Sequence, residues 1–561
     1  MLRLKTIALS ILLMACLNAP SSPGCQDNPP QVRDETAGSL EQVINRIVTR
    51  ERNTTENLRN YKPLIETYVQ RQEIDEMAGA VPREDEYLLG RLEWQNGIKS
   101  KSLLRDQWKS GTILGSLSRP FPFQSDRMLD VFAGMVLIDR TSFDQKRYQF
   151  RFLRREFLGE VRCLVFEVKP ERKVRDGFSG RIWVEDKDYT IVRFNGVSAA
   201  REDLHFDSWR LNLRPGIWLP AYVYIEDSDQ SYGFMRKKRS RAKAQTRLWG
   251  YSLKGAGREQ EFTAVLVDGP AVRDRSDSEK QMSPVSSQRA WERQAEDNVL
   301  ERLEAAGLIA PEGEVDKVLK TVVTNLEITN NLDIDPEVRC RILLTSPLEA
   351  FTVGHTIVLS RGLIDVLPDE ASLATMLAHE LGHIVLGHQP IDTKYAFSDR
   401  MLVADNSLLD NFRFRRQPGE EAAADLRAME VLKLSPYKDK LANAGLFLRA
   451  VAMRAKQLPG LIQPHMGDGI ARDGEILRMS ELMKSAPKLE MERIDQIAAL
   501  PLGGRIDVDP WSGRLQLMKN AAVALVSARE KMALEVTPFM PYLSYSQASN
   551  EPLLHSSQNP R

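Results

Sequence analysis

The hydrophobic pattern of this chain changes its period once, on either side of a polar segment near the middle of the sequence. Upstream, apolar and polar residues alternate, which is typical of antiparallel strands with one buried face. The clearest runs are RYQFRFLRREF, RCLVFEVKP, GRIWVEDKDYTIVRF and AYVYIEDS. Downstream, apolar residues recur at the spacing of an amphipathic helix, at Val315, Val318, Leu319, Val322, Val323 and Leu326. A single hydrophobic core stops growing near ~250 to 300 residues, so a chain of 561 residues predicts two or more domains.

The predicted architecture is a multidomain α+β protein divided at the polar segment. Residues 268–290 contain repeated Ser and Asp, two Pro and one Gly, with almost no apolar periodicity, and form the predicted linker. The domain before it, residues 32–267, is predicted to be an antiparallel β-rich domain that opens with a helix. The domain after it, residues 291–536, is predicted to be mainly helical with a small β-sheet. Residues 537–561 lack a packing pattern and are predicted to form a flexible tail.

The N-terminus has the pattern of a secretory signal, which we place in residues 1–25. Arg3 and Lys5 precede an apolar run at residues 7–17, followed by Pro and Ser. As a helix this run spans only ~16 Å, about half the hydrocarbon core of a bilayer. Its end resembles a bacterial lipobox, so lipidation of Cys16 and plain cleavage near Ala19 both stay open. In either case we expect the mature chain in the periplasm or cell envelope, with membrane contact only through a possible lipid anchor.

The charge balance argues against a nucleic-acid-binding protein, and the cysteines argue against a disulfide-stabilised fold. Lys plus Arg number 77 and Asp plus Glu number 77, so no positive field exists to collect nucleic acid. In a secreted chain, Cys25, Cys163 and Cys340 form an odd and scattered set. Disulfides are therefore not what stabilises the predicted domains.

The sequence His379-Glu380-Leu381-Gly382-His383 predicts a metal site. On a helix, residues four apart lie only ~40° apart around the axis, so His379 and His383 can bind one ion. Two imidazoles, a neighbouring carboxylate as general base and an open coordination position suit zinc, at one ion per chain. The alternative interpretation is a structural histidine pair within a buried helix, for which Asp369 is the predicted N-cap.

The third ligand is predicted on a second helix, in the stretch Glu420 to Asp425. Glu421 and Asp425 lie on one helical face, so Glu421 could bind the metal while Asp425 accepts a hydrogen bond from a ligand histidine. Glu420 points ~100° away. His388 follows His383 by five residues, ~140° around a continuing helix. We therefore interpret His388 as a structural or surface residue rather than a ligand.

These motifs together resemble a known family of metallopeptidases. The segments SPLEAFTVGHTIVLSRGL, HELGH and EAAAD are similar to those of the gluzincins related to the CAAX prenyl protease, HtpX and BepA, over roughly residues 300–480. The resemblance implies His379, His383 and Glu421 as zinc ligands and Glu380 as general base. One departure is Glu349, which stands where the family commonly has Asn, and it puts substrate handling at that strand in doubt.

From these motifs we predict that the protein is a zinc metalloendopeptidase of the cell envelope that cleaves unfolded or misassembled proteins. Residues 351–359 are predicted as an edge strand with which an extended substrate pairs through its main chain. The competing interpretation is a non-enzymatic chaperone or a lipoprotein- or lipid-binding protein whose zinc site is latent or structural. A third is an assembly scaffold that uses the β-rich domain alone.

The β-rich domain carries a looser resemblance. FLGEVRCLVFEVKP, GRIWVEDKDYTIVRFNGV and WRLNLRPGIWLPAYVYIED are similar in order to the strands of LolA- or LolB-like half-barrels. The resemblance implies an acyl or lipoprotein ligand for residues 32–267; the alternative is a generic sheet that packs on the peptidase. The basic residues between Arg236 and Arg247 are compatible with a solvated strand face or with an anionic partner.

The last candidate is His465, in a Pro- and Gly-rich loop that runs toward Arg472 and Arg478. Related envelope proteases have a histidine at the start of a similar loop and an arginine several residues later. Three roles stay open for His465: a ligand that plugs the zinc site, a catalytic hydrogen-bond donor to the oxyanion, or an exposed loop residue without a function.

Overall fold

The fold is described from a computed structural model. It describes residues 35–75, 79–94, 97–104, 125–139, 141–171, 177–198, 201–227, 230–232, 238–253, 284–388, 412, 414–472, 474–490, 493, 495–518 and 534–546. The predicted signal at residues 1–25, Cys16 and most of the predicted linker lie outside these residues. Among these described residues, those up to Val43 fall in one unit and those from Ile44 onward fall in a second, compact unit.

The first half of the described chain is a helix followed by antiparallel strands, as the alternating pattern predicts. Helix α1 spans Glu35–Leu58, with Ile44, Ile47 and Val48 buried. A second helix, α2, spans Ser125–Gly134. The strands are β1 Leu64–Asp75, β2 Gly79–Glu93, β3 Lys99–Ser102, β4 Tyr148–Leu158, β5 Val161–Pro170, β6 Phe178–Glu185, β7 Ile191–Ser198, β8 Arg201–Arg214, β9 Ile217–Asp227, β10 Gln230–Tyr232 and β11 Lys238–Trp249.

These strands form one large antiparallel sheet, with eleven strands among the described residues. Its order is β3-β2-β1-β11-β9-β8-β7-β6-β5-β4, with β10 paired to β11. The run from β4 to β9 is a meander of neighbouring hairpins, but β11 returns to pair with β1 in the register Leu64 to Trp249. The first and the last strand of the sheet along the chain are therefore hydrogen-bonded neighbours.

The second half is mainly helical with a small sheet, which agrees with the predicted fold class. Its helices are α3 Pro284–Ala305, α4 Glu314–Thr329, α5 Arg361–Val366, α6 Glu370–Val385, α7 Pro418–Leu434, α8 Leu441–Arg454, α9 Pro459–Ile462 and α10 Ser480–Ser485. Its strands are β12 Arg339–Leu343, β13 Ala350–Val353, β14 Thr356–Ser360, β15 Ala471–Arg472, β16 Glu475–Ile476, β17 Ile506–Val508 and β18 Leu515–Leu517. Helix α3 begins at Pro284, so the end of the predicted linker is helical. Among the described helices, none combines the length and apolar composition needed to cross a bilayer.

Buried polar contacts join the large sheet to the helical half. Glu66 of β1 accepts a hydrogen bond from the Arg361 guanidinium at 3.0 Å, and both side chains are only 2% exposed. Arg361 also binds Asp365 at 3.0 Å, and Tyr87 of β2 donates to Glu66 at 2.9 Å. An ion pair without water contact requires both charges to be compensated. The two predicted domains therefore share a desolvated interface.

The C-terminal segment 534–546 lies against the large sheet, so the prediction of a flexible tail from residue 537 is wrong for this stretch. Leu543 is fully buried and its carbonyl accepts a hydrogen bond from the Glu160 amide at 2.9 Å. The hydroxyl of Tyr545 donates to Glu185 at 2.8 Å. Val536 donates its amide to the Gln70 side chain at 3.0 Å. The segment has no internal periodicity because its contacts are with distant strands, so a local pattern could not reveal them.

Candidate metal centre

Helix α6, which carries the HELGH motif, is buried along nearly its whole length. It begins where Asp369 accepts the Ser372 amide at 2.8 Å, as the predicted N-cap does. From Ala371 to Ile384 every residue is buried, because the helix contacts α4, α7, α8 and the small sheet. Its histidines are therefore held in a rigid, desolvated setting.

Helix α7 brings the predicted third ligand to α6. It opens with Pro418, and the Glu420 carboxylate accepts the Gln417 amide at 2.9 Å, closing the first turn. Glu420 is thus used as a cap, and Glu421 one position on faces the histidines. The two helices approach closely because position 382 is glycine: a Cβ there would lie 2.8 Å from the Ala424 carbonyl oxygen.

The three predicted ligands lie together. His379 Nε2 is 3.2 Å from one carboxylate oxygen of Glu421, and His383 Nε2 is 3.3 Å from the other. The two Nε2 atoms are 3.2 Å apart. Among the described residues, these three side chains form the one group of this kind that could hold a metal ion.

The hydrogen bonds around the group suit a cation. His379 shares its Nδ1 with Asp425 at 2.8 Å, the arrangement predicted from the sequence, and Asp425 also accepts the Met479 amide at 2.8 Å. With the His379 proton on Nδ1, its Nε2 lone pair points at a carboxylate oxygen. Glu421 Oε1 is buried and has no hydrogen-bond partner among the described residues. Electron pairs that converge without a donor repel unless a cation lies between them, so the residues fit zinc.

The pKa shifts at the site show the same preference for positive charge. Burial and the Arg478 guanidinium act to lower the pKa of His379, but Asp425 and Glu421 outweigh them and raise it to about 9. Burial would raise the pKa of Glu421, but Arg478 and the two histidines hold it far below its ordinary value. Without a metal ion, the site therefore favours a protonated His379 beside the ionised Glu421, and a bound cation would take the place of the proton between them.

Glu380, the predicted general base, is 1% exposed and binds Arg478. Arg478 Nη1 donates to Glu380 at 2.7 Å and to the Ala350 carbonyl at 3.1 Å, and its Nε donates to Glu421 at 3.0 Å. One buried guanidinium therefore connects the base, a metal ligand and strand β13. The sequence left the choice between Arg472 and Arg478 open; Arg472 is exposed.

His465 does not belong to the metal group. Its ring stacks on Tyr87 of the large sheet, with centroids 5.4 Å apart, and its amide donates to Glu349 at 2.6 Å. Burial lowers the pKa of His465 to about 4, and its Nε2 has no hydrogen-bond partner among the described residues. The interpretation as an exposed loop residue is wrong, because the loop packs at the junction with the sheet. This conformation contains neither the plug nor the oxyanion donor, and both roles stay predictions.

The predicted edge strand at residues 351–359 is a hairpin rather than one strand. Gly354 has φ +58° and allows the chain to reverse between β13 and β14. The sheet order is β12-β14-β13, so of the two hairpin strands β14 is central and β13 lies at an edge. At this edge Ala350 forms an isolated bridge with Asp468, and Phe414 stacks on Phe351 at 4.9 Å.

The structure also brings His388 to the site, which the sequence interpretation missed. His388 Nδ1 lies 3.2 Å from His383 Nδ1. The expected angle of ~140° assumed a continuing helix, but α6 ends at Val385 and Gly387 has φ +69°. The signal was in the sequence, since a glycine at this position commonly terminates a helix.

Comparison of the large sheet with solved structures gives several low-scoring likenesses. A LolA superfamily protein from Nitrosomonas europaea is 11% identical, with a TM-score of 0.21, covering 36% of this chain and 90% of its own. A DUF1329 family protein from Desulfovibrio piger is 9% identical, with a TM-score of 0.20 and coverages of 36% and 90%. A putative outer membrane lipoprotein-sorting protein domain from Vibrio parahaemolyticus is 12% identical, with a TM-score of 0.20 and coverages of 39% and 96%. Scores of this size carry no inference about a ligand.

Comparison of the sequence with protein families identifies the helical half. The model of Peptidase family M48 matches residues 310–498, the stretch that contains α6, α7, Arg478 and the small sheet. No curated protein sequence matches the chain. With the two histidines and the glutamate assembled as described above, residues 310–498 of this chain are a metallopeptidase domain of Peptidase family M48.

Proposed function

We propose that the protein is a zinc-dependent endopeptidase that holds one zinc ion per chain at His379, His383 and Glu421. The observation that carries this is the convergence of two Nε2 atoms on the two oxygens of one carboxylate, at 3.2 and 3.3 Å. When bound by these residues, zinc would supply a Lewis acid that lowers the pKa of a water toward ~7 and polarises a peptide carbonyl.

The residues of the chain supply the proton transfers and the orientation. Glu380 accepts the proton of the attacking water and passes it to the leaving amine. Arg478 holds Glu380 in place and neutralises it, through the 2.7 Å contact. Asp425 fixes the ring of His379 by its bond to Nδ1.

The substrate is proposed to be an extended segment of an unfolded or misassembled protein. Strand β13 supports this, because an edge strand can pair with a substrate main chain without reading its side chains. All four residues of β13 are buried, and Asp468 already bridges to Ala350. Substrate pairing along β13 therefore requires the segment around Asp468 to move aside.

Zinc content and cleavage of an unfolded model protein test the endopeptidase. Glu380→Gln removes the base and keeps the ligands, so it should bind one zinc per chain and cleave at least about 10²-fold more slowly. Glu421→Ala should lose zinc, whereas Glu420→Gln, which keeps the helix cap, should retain both zinc and activity. Equal cleavage by the unmodified chain and Glu380→Gln would refute the proposal. Bound zinc without cleavage by either would favour the non-enzymatic interpretation.

We further propose that the chain acts in the periplasm or cell envelope. The basic and apolar pattern of residues 3–17 supports this. Fractionation of expressing cells, with and without Cys16→Ser, tests it and separates lipidation from plain cleavage. A full-length precursor that stays in the cytoplasm would contradict the proposal.

The acyl or lipoprotein ligand of the β-rich half also stays a proposal. A cavity of about 150 Å³ lies against the sheet, lined by Tyr222, Trp249, Phe539 and others. A cavity of this size holds a molecule like benzene, which is smaller than a long acyl chain. Saturable binding of a fluorescent fatty-acyl probe by the whole chain would support a ligand site elsewhere on the sheet. No binding would favour the alternative, a generic sheet that packs on the peptidase domain.

A further inference from the structure

The end of helix α6 turns the chain back toward the metal group. Leu386 is the last residue with helical geometry, and Gly387 has φ +69°, a conformation that glycine adopts without strain. The His388 amide then donates to the His383 carbonyl at 2.9 Å. This return places the His388 ring beside the His383 ring, with centroids 5.4 Å apart and planes at 60°.

The contact between the rings runs from Nδ1 to Nδ1 at 3.2 Å. Two neutral imidazole nitrogens at this distance form one hydrogen bond if one carries a proton and the other a lone pair. The Nε2 of His383 faces Glu421, so a His383 that binds a cation there must carry its proton on Nδ1. The Nδ1 of His388 is then the acceptor.

Each ligand histidine thus has its own partner on the side away from Glu421. Asp425 takes the Nδ1 of His379 at 2.8 Å, and His388 takes the Nδ1 of His383. A metal-binding histidine usually donates its second nitrogen to such a partner, which fixes the tautomer and the ring orientation. His388 differs from Asp425 in adding no negative charge to a site that already contains Glu380, Glu421 and Asp425.

We propose that His388 is a positioning residue of the zinc site: its Nδ1 accepts the Nδ1 proton of His383 and so holds the Nε2 of His383 toward the metal. This inference rests on the proposed zinc site and adds a residue to it. Gly387 is needed for this contact, because it ends the helix; in a helix that continued through residue 388, the His388 ring would point away from His383.

The test compares zinc affinities of the whole chain and three variants by competition with a fluorescent zinc chelator. His388→Ala removes the acceptor, and His388→Asn offers an amide oxygen in its place. Leu386→Ala is the matched control, since its side chain is 42% exposed on the same turn. We expect His388→Ala to bind zinc about 10- to 100-fold more weakly, and His388→Asn and Leu386→Ala to bind like the unmodified chain.

Thermal unfolding of the metal-free proteins separates positioning from folding. A positioning role predicts equal metal-free unfolding temperatures for His388→Ala and His388→Asn, with the difference appearing only when zinc is added. If lost volume destabilises the helix end in His388→Ala, His388→Leu restores the volume without an acceptor and should still bind zinc weakly.

The outcomes distinguish this inference from the proposed function. Zinc affinity of His388→Ala or His388→Leu equal to that of the unmodified chain would overturn the role of His388 alone. Zinc binding that depends on His388, in a chain that cleaves no protein, would contradict the endopeptidase alone. An unmodified chain that binds no zinc would overturn both.

Discussion

Arg478 is the residue on which the charge balance of the site depends. It is 3% exposed and binds two carboxylates, Glu380 and Glu421. Replacing it removes the positive charge that compensates both, and a buried charge left without its partner costs about 3 to 5 kcal/mol.

We therefore predict that Arg478→Met lowers the unfolding free energy by about that amount in the metal-free protein. The loss should be smaller with zinc bound, because the ion neutralises Glu421 in its place. Thermal unfolding in EDTA and in excess zinc measures both values. The matched control is Arg472→Met, which changes an exposed arginine and should shift neither; equal effects of the two substitutions would contradict the prediction.

Glu349 gives the protein a predicted pH dependence. Burial raises the pKa of its carboxyl from 4.5 to about 7, against the bonds it accepts from the His465 and Met466 amides. Between these two pH values the folded protein holds a proton that the unfolded chain releases, so stability falls as the pH rises through this window. Burial raises the pKa of Asp85 to about 7 as well, so both carboxyls act in the same direction.

Glu349→Gln keeps an oxygen for the His465 amide and cannot ionise. We expect it to match the unmodified chain near pH 4.5 and to be more stable above pH 7, by about 3 kcal/mol at most. Unfolding temperatures at pH 4.5, 6, 7 and 8 measure the difference. Glu481→Gln, at a side chain 69% exposed, should leave the profile unchanged; a constant difference at every pH would count against Glu349.

Single residues show where sequence reasoning reaches and where it stops. The groupings of His379 with His383 and of Glu421 with Asp425 follow from helical spacing, so they were predicted and the side chains lie as the spacing requires. Arg478 reaches the site from a segment 98 positions after Glu380, where no spacing rule applies. His388 was misplaced because its position depends on the backbone of Gly387.

At the scale of elements, the site depends on how closely α6 and α7 approach. Gly382 faces Ala424, and a Cβ at 382 would lie 2.8 Å from the Ala424 oxygen and 3.3 Å from its Cα. Both atoms belong to the backbone, so no side-chain rotation relieves the contact. Gly382→Ala must push the helices apart.

We predict that Gly382→Ala weakens zinc binding by about tenfold or more, because it moves Glu421 relative to the two histidines. Gly419→Ala is the same substitution on α7 where nothing lies within 4 Å of the added Cβ, and it should bind zinc normally. Chelator competition gives both affinities. Unchanged binding by Gly382→Ala would show that the spacing of the helices does not set the site.

The sequence predicted the helices and strands whose causes lie in neighbouring residues, but not the features that depend on a single backbone conformation or on distant pairing. The Asp369 cap of α6 and the alternating strands of the large sheet are visible in sequence because their causes are local. The split of residues 351–359 into β13 and β14 depends on one glycine with positive φ. The pairing of β11 with β1 joins residues far apart in the chain, which no local pattern reports.

At the scale of the whole molecule, the two halves should unfold together. Glu66 and Arg361 form a buried ion pair at 3.0 Å across their junction, and Asp85 of β2 accepts the Gly460 amide at 2.7 Å. Separating the halves would break these contacts and expose to water the apolar surface that surrounds them, which is costly.

We predict that a chain cut at a protease site engineered within residues 268–283 stays associated and unfolds in one transition. Size-exclusion chromatography and calorimetry of the cut protein measure this. Glu66→Ala should lower the unfolding temperature and weaken the association of the two pieces, whereas Glu93→Ala, at a side chain 52% exposed, should not. Spontaneous separation of the pieces of the otherwise unmodified chain would contradict the prediction.

The C-terminal segment has a consequence for the order of events during biosynthesis. The bond from Val536 to Gln70 spans 466 positions, and a ribosome adds ~5 to 20 residues per second. The sheet residues that contact Val536 and Leu543 are therefore made roughly 20 to 90 seconds before their partners exist. Until translation ends, the apolar surface that this segment covers is exposed on the nascent sheet and can bind other proteins. In a chain that stops before residue 534 the surface stays exposed, so we expect such a chain to aggregate or to be degraded.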